Sequence, residues 1–177
     1  QPRQITSNHF VIVEITEEDL KRYGQWSSST MFPLRKDRVA SKHMGYTSNI
    51  CYIKFGKDKK FYPNKNISKS VLDIIQRDEI LGVYFISYPP KIDIKIHTDH
   101  NPYKKRYLRI QIPITIPNNN INEECFVEWI ECGQRIYWKI GETMIFDVEK
   151  LHYGANKSDS KMEFLYVDIN PDTKVEL

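Results

Sequence analysis

A chain of 177 residues, 40% hydrophobic and without a long polar tract, holds enough apolar material for one compact domain with a real core. Its 26 Lys+Arg against 23 Asp+Glu leave a net charge of +3, too mild to imply a nucleic-acid partner, and the basic runs "KDKK" (57–60) and "KKR" (104–106) read as solvated loops. No apolar run approaches the roughly 18 residues of a membrane span and no signal-peptide core is visible, so a soluble, cytoplasmic protein with no membrane partner is expected. Cys51, Cys125 and Cys132 are odd in number and lack C-x-x-C spacing, which fits reduced thiols better than a disulfide framework or a zinc site.

The first 82 residues are mixed. "HFVIVEI" (9–15) predicts an opening strand, and Thr16 followed by Asp19 resembles a capping box for a brief helix through Arg22. "SKSVLDIIQRDE" (68–79) predicts a second helix, capped by Ser68 or Ser70, with Val71, Leu72, Ile74 and Ile75 on one side. From Val83 onward the pattern is nearly all strand: "VYFISY", "IDIKIHTD", "YLRIQIPITI", "CFVEWIEC", "RIYWKIG", "TMIFDV" and "KMEFLYVDI", separated by Pro89-Pro90, "NPYKK", "PNNNIN", "CGQ", Gly141 and "YGANKSDS". Short strands at this spacing predict a β-sandwich or small barrel. The organisation expected is a single domain over 1–177, with N-terminal support over 1–82 and a β core over 83–170.

Within "KIDIKIHTDHNPYKKRYLRIQIPITIP" (91–117), isoleucine alternates with polar residues, so one face of each strand is apolar and the other carries Asp93, Lys95, His97 and Asp99, then Arg109 and Gln111. That predicts a polar, site-bearing interior with the isoleucines packed outward. His-x-Asp puts two ligand-type side chains on one side of a strand end. Two imidazoles and one carboxylate on one face of an octahedron is what a mononuclear non-haem Fe(II) site requires, with open positions left for a co-substrate and O₂. His97-Thr98-Asp99 alone is a weak signal, because so short a motif arises by chance. His152, 55 residues downstream between two apolar strands, supplies the second imidazole.

At this point the chain resembles the aspartyl/asparaginyl β-hydroxylase family of Fe(II)- and 2-oxoglutarate-dependent oxygenases. The matching pieces, in order, are His97-Thr98-Asp99, Arg109-Ile110-Gln111-Ile112-Pro113-Ile114, Gly141 with Phe146-Asp147, His152 with Asn156 and Ser158, and Phe164-Leu165-Tyr166-Val167-Asp168. The resemblance covers residues 84–169. It implies a mainly β, double-stranded β-helix (jelly-roll, cupin-like) core, which the helices expected from the N-terminal pattern would flank. It further implies iron on His97, Asp99 and His152, with 2-oxoglutarate and O₂ as co-substrates. The reaction implied is hydroxylation of an amino-acid side chain, in a protein or peptide or as the free amino acid. Arg109 and Gln111 would face the C1 carboxylate of 2-oxoglutarate, Lys161 the C5 carboxylate, and Ser87 would be a hydroxyl partner.

The chain departs from the family pattern in two places. Gln111 stands where histidine is usual. The basic residue for the distal carboxylate is usual ten residues after the second histidine, and here that position is Met162. Lys161 is the nearest substitute, and because one step along a strand reverses a side chain, it serves only if Met162 faces away from the cavity. His100 reads as a loop residue, Asp147 and Asp168 as structural strand ends, and Trp138 as a wall of the pocket. His9 and His43 have no supporting carboxylate. Three other readings stay open: a cupin-type metalloenzyme that does not use 2-oxoglutarate, a catalytically silent binding module, and a plain carbohydrate- or protein-binding β-sandwich.

Overall fold

The computed structural model describes residues 3–5, 35–36, 49–56, 60–61, 73 and 75–172. In chain order its strands are β1 (Arg3–Ile5), β2 (Arg35–Lys36), β3 (Asn49–Phe55), β4 (Lys60–Phe61), β5 (Ile80–Tyr88), β6 (Ile92–His97), β7 (Leu108–Thr115), β8 (Cys125–Trp129), β9 (Arg135–Tyr137), β10 (Thr143–Phe146), β11 (His152–Asn156) and β12 (Met162–Ile169). They form a large sheet in the order β1-β10-β7-β12-β5-β3-β2, with β4 on β3, and a small sheet in the order β6-β11-β8-β9. All pairings are antiparallel.

From β5 to β8 the chain changes sheet at every connection, and it does so again from β9 to β12. That winding is a double-stranded β-helix. Every strand predicted after Val83 is present, most of them trimmed at the ends. β5 and β12 are buried along their whole length, which is why they read as near-continuous apolar runs rather than alternating ones.

The N-terminal expectations fare differently. The strand expected over 9–15 and the helix expected over 16–22 lie outside the described residues. Of the helix expected over 68–79, only Asp73 and Ile75 have helical backbone among the described residues, and a turn follows from Gln76. The described N-terminal elements are strands, since β3 pairs with β5 and carries the large sheet outward. Helical bracing of the sheet is therefore not part of the described fold. Among the described residues no helix is long and apolar enough to cross a membrane.

The inward faces of the two sheets meet in one apolar cluster, built from Tyr84, Ile86 and Tyr88 of β5, Phe164 and Tyr166 of β12, Trp129 of β8, Phe146 of β10 and the loop residue Trp138. The expectation that the isoleucines face outward holds for one strand and fails for the other. On β7, Arg109 and Gln111 face the interior while Ile110 and Ile112 are buried on the opposite face. On β6 the order is reversed: Ile92 and Ile94 pack against the core, and Asp93 and Lys95 are exposed. The reason is a bulge. His97 pairs with His152 but Ile94 pairs with Gly154, so three steps on β6 oppose two on β11. The extra residue reverses side-chain parity, turning His97 inward on a strand whose isoleucines also face inward.

Gly82 pairs with Asp168 across β5 and β12, and a Cβ on it would lie 2.0 Å from the Tyr103 hydroxyl oxygen and 2.9 Å from its Cζ. The missing side chain is thus the space through which Tyr103 reaches Asp168. Gly82→Ala is expected to lower stability by about 1–3 kcal/mol through overpacking, seen as a lower denaturant midpoint with an unchanged slope. An unaltered midpoint would mean that Tyr103 has another place to go.

Candidate metal centre

His97 ends β6 and His152 begins β11, and the two are direct cross-strand partners. Asp99 follows two residues after His97, held by its amide N–H donating to the Val148 carbonyl at 3.0 Å. The result is a compact donor set, with one atom from each of His97, Asp99 and His152 all within 4.8 Å of one another. Asp99 Oδ1 lies 3.0 Å from His97 Nε2 and 3.2 Å from His152 Nε2.

The far side of each imidazole decides what these contacts mean. His97 Nδ1 sits 2.6 Å from the Lys95 carbonyl and His152 Nδ1 sits 2.7 Å from the Lys150 carbonyl. A carbonyl only accepts, so each Nδ1 carries a proton and each ring turns its Nε2 toward the Asp99 oxygen. Donor atoms converging this closely have room for one cation to bridge them, a proton or a bound metal. The same backbone anchoring orients histidines at metal sites generally, so the residues fit a bound divalent metal. Trp129 stacks on His152, with ring centroids 5.5 Å apart, and fixes that ring from the side.

Asp99 is in turn held by Arg109, whose guanidinium is buried between two carboxylates. Arg109 donates from Nη1 to Asp99 Oδ2, from Nε to Asp168 Oδ1 at 2.8 Å and from Nη2 to Asp168 Oδ2 at 3.1 Å. Tyr103 adds a hydroxyl bond to Asp168 Oδ2 at 2.5 Å. The Tyr166 ring lies 4.6 Å from the guanidinium carbon, with Tyr84 at 5.4 Å and Tyr107 at 5.7 Å. Burial pushes the Asp99 carboxyl up, but the Arg109 charge and the two imidazoles outweigh it and hold the group well below the usual carboxylate range. Asp99 therefore keeps its charge, with Oδ2 tied to Arg109 and Oδ1 facing the histidines.

Arg109 consequently stands behind the metal ligand rather than open to a co-substrate. Asp168 and Tyr103, which hold Arg109 in place, have no signal in the local sequence beyond a polar residue ending a strand; the contact spans 59 residues of chain. Gln111 lines the cavity together with Tyr88, Ile94, Phe126, Val127, Trp138, Phe146, Met162 and Tyr166. The wall expected at Trp138 is there. His100 is exposed in its loop, and Asp147 fixes a turn by accepting from the Glu149 amide at 3.0 Å.

Two expected co-substrate contacts are placed elsewhere. Ser87 pairs across the sheet with Glu163, and Tyr88 with Met162. Tyr88 and Met162 line the cavity, so alternation sends Ser87 and Glu163 to the other face of the sheet. Lys161 precedes β12, its side chain 44% exposed and its ammonium 3.5 Å from Glu163. The loop between β11 and β12 sets this register. Asn156 donates to the Pro89 carbonyl at 3.0 Å and the Ser160 carbonyl at 2.9 Å, and accepts from the Ser158 hydroxyl at 2.7 Å. The Asn-x-Ser pair thus cements a loop one residue longer than Lys161 would need, and Met162 takes the inward position. Among the described residues no lysine or arginine other than Arg109 lines the cavity, and Arg109 is already engaged by Asp99 and Asp168.

No protein of curated function matches the chain. Among solved structures it is similar to a viral collagen prolyl hydroxylase from Paramecium Bursaria Chlorella virus-1 in its 2OG complex, with TM-score 0.60 and 14% identity, covering 95% of this chain and 94% of that one. It is also similar to a Pseudomonas putida prolyl-4-hydroxylase, with TM-score 0.59 and 9% identity over 97% of this chain and 93% of the other. An oxidoreductase of the 2OG-Fe(II) oxygenase family from Burkholderia pseudomallei gives TM-score 0.56 and 11% identity over 86% of this chain and 78% of that one. At these identities the likeness is one of fold. The sequence itself matches the family described as aspartyl/asparaginyl beta-hydroxylase over residues 12–171, and the chain belongs to that family.

Proposed function

We propose that the protein is a non-haem Fe(II) dioxygenase that hydroxylates an amino-acid side chain, with a 2-oxo acid as co-substrate and 2-oxoglutarate as the acid its family suggests. The observation that carries this reading is the convergence of His97 Nε2, His152 Nε2 and Asp99 Oδ1, with both Nδ1 atoms pinned to backbone carbonyls. Two imidazoles and a carboxylate suit iron and leave positions open. Iron held there supplies the activation of O₂, chemistry that no side chain of the protein can perform.

The chain's own residues do the rest. His97 and His152 bind as neutral ligands, Asp99 contributes a full negative charge, and Arg109 keeps that carboxylate from rotating or picking up a proton. Trp138, Phe146, Phe126 and Val127 form an apolar wall that limits water near the metal. Similarity in fold to two prolyl hydroxylases, one named for collagen, supports a peptide or protein as substrate. A second reading, a cupin-type metalloenzyme that does not use 2-oxoglutarate, is favoured by Met162 at the cavity position where a cation would be needed.

His97→Ala and His152→Ala are each expected to abolish retention of Fe(II) and activity, while His100→Ala leaves metal binding intact; metal content after dialysis reads this out, and equal loss in all three would remove the assignment. Asp99→Ala should weaken metal binding, and unchanged affinity would mean its carboxylate is not a ligand. Oxygen uptake that depends on both Fe(II) and a 2-oxo acid separates a working oxygenase from the cupin-type reading and from a silent module.

Arg109 is tested differently. Arg109→Ala leaves Asp168 buried without its counter-charge and should destabilise the protein by about 3–5 kcal/mol. Arg109→Lys keeps the charge but cannot span two carboxylates with a planar fork. It should fold and lose about 10- to 100-fold in metal affinity, the usual effect of disturbing a ligand's support, measured by competition with a chromophoric chelator.

A further inference from the structure

The cavity has two ends of opposite character. At one end His97, Asp99, His152 and Arg109 gather nearly all its charge. The inward residues of β12 lead away from there in the order Asp168, Tyr166, Phe164 and Met162, and Met162, 1% exposed, faces its partner Tyr88 at the far end. The same lining includes Tyr88, Ile94, Val127 and Trp138, all apolar or aromatic. Among the described lining residues, the Tyr88 and Tyr166 hydroxyls lie 2.6 Å apart and are bonded to each other.

A carboxylate taken into such a place loses its hydration, and holding it there requires a cation or several committed donors. Lys161 lies outside, paired with the buried Glu163. Reversing its direction would need a change of register that the Asn156 and Ser158 bonds to the intervening loop oppose. Arg109 belongs to the metal end and is occupied by Asp168 and Asp99. An uncharged hydrocarbon tail meets none of these difficulties and gains from leaving water.

Resting on the reading of the site as one for iron and a 2-oxo acid, we infer that its co-substrate is a 2-oxo acid with an apolar tail, and that Met162 is the residue that sets this preference over the dicarboxylate 2-oxoglutarate. The oxo-acid end faces the metal, and the tail packs against Met162, Tyr88 and Trp138. Met162 is a specificity residue, since it meets the part of the ligand that does not react.

The test uses the full chain loaded with Mn(II), which prevents turnover, and titrates 4-methyl-2-oxopentanoate against 2-oxoglutarate by calorimetry. The apolar-tailed acid should bind at least about 10-fold more tightly, the scale of one unmade charge-assisted bond. Met162→Arg should invert the order, while Lys161→Ala should leave both affinities unchanged. Tighter or equal binding of 2-oxoglutarate by the unmodified protein overturns the inference, as does a loss of 2-oxoglutarate affinity in Lys161→Ala. If neither acid binds while Mn(II) does, the inference fails and the metal site stands; if Mn(II) itself is not held, the proposed function fails first. Should Met162→Arg not fold, as judged by circular dichroism, the ranking of the two acids by the unmodified protein decides.

Discussion

The Arg109 guanidinium, placed between Asp168 and Asp99, is the contact on which the rest of the site depends. Asp168 has no exposed surface and the Arg109 side chain is only 5% exposed. A bidentate pair at that depth is stable only if every donor and acceptor is satisfied. Asp168 meets the condition with Arg109 and Tyr103, and Arg109 meets it by giving its remaining donor direction to Asp99. The need to satisfy a buried charge therefore fixes the carboxylate that faces the two histidines. Gly82 belongs to the same chain of dependence, because only a residue without a side chain leaves the path open for Tyr103.

Strand parity explains the remaining placements, including those that depart from expectation. β7, β11 and β12 contribute Arg109 and Gln111, His152 and Gly154, and Met162 and Tyr166 to the interior at even intervals of two or four residues. Ser87 and Lys161 are out of phase with their inward neighbours Tyr88 and Met162. His97 is the exception made possible by the bulge in β6, which lets an apolar inward face end in an inward ligand. Gly154 has its own steric reason: a Cβ there would lie 2.5 Å from the Phe126 carbonyl oxygen, so β8 and β11 can approach only with glycine at the pocket wall.

Electrostatically the cavity is graded. Its charge is concentrated where a metal and the groups that bind it belong, and its far end offers aromatic and aliphatic surface. Such an arrangement favours a ligand with one charged end and one neutral end. That polarity turns on position 162, where Met162 ends the inward row of β12.

Much was readable in the sequence because it rests on local periodicity. Seven of the eight strands β5 to β12 follow from apolar alternation and turn residues, while β11 falls partly within a stretch that reads as a loop, and His97, Asp99 and His152 are picked out by an ordered set of motifs resembling the family. The helices expected in the N-terminal part rested on weaker patterns, and the one element described there at length, β3, shows its strand character in "NICYIKF". Contacts between residues far apart in the chain were not readable. Arg109 meets Asp168 and Asp99, and Asn156 meets the Pro89 carbonyl, only once two sheets are wound together. Direction was equally hidden. Whether Lys161 or Met162 turns inward, and whether His97 shares a face with Ile94, depends on one residue of register, set by a bulge and a hydrogen-bonded loop that only the tertiary structure determines.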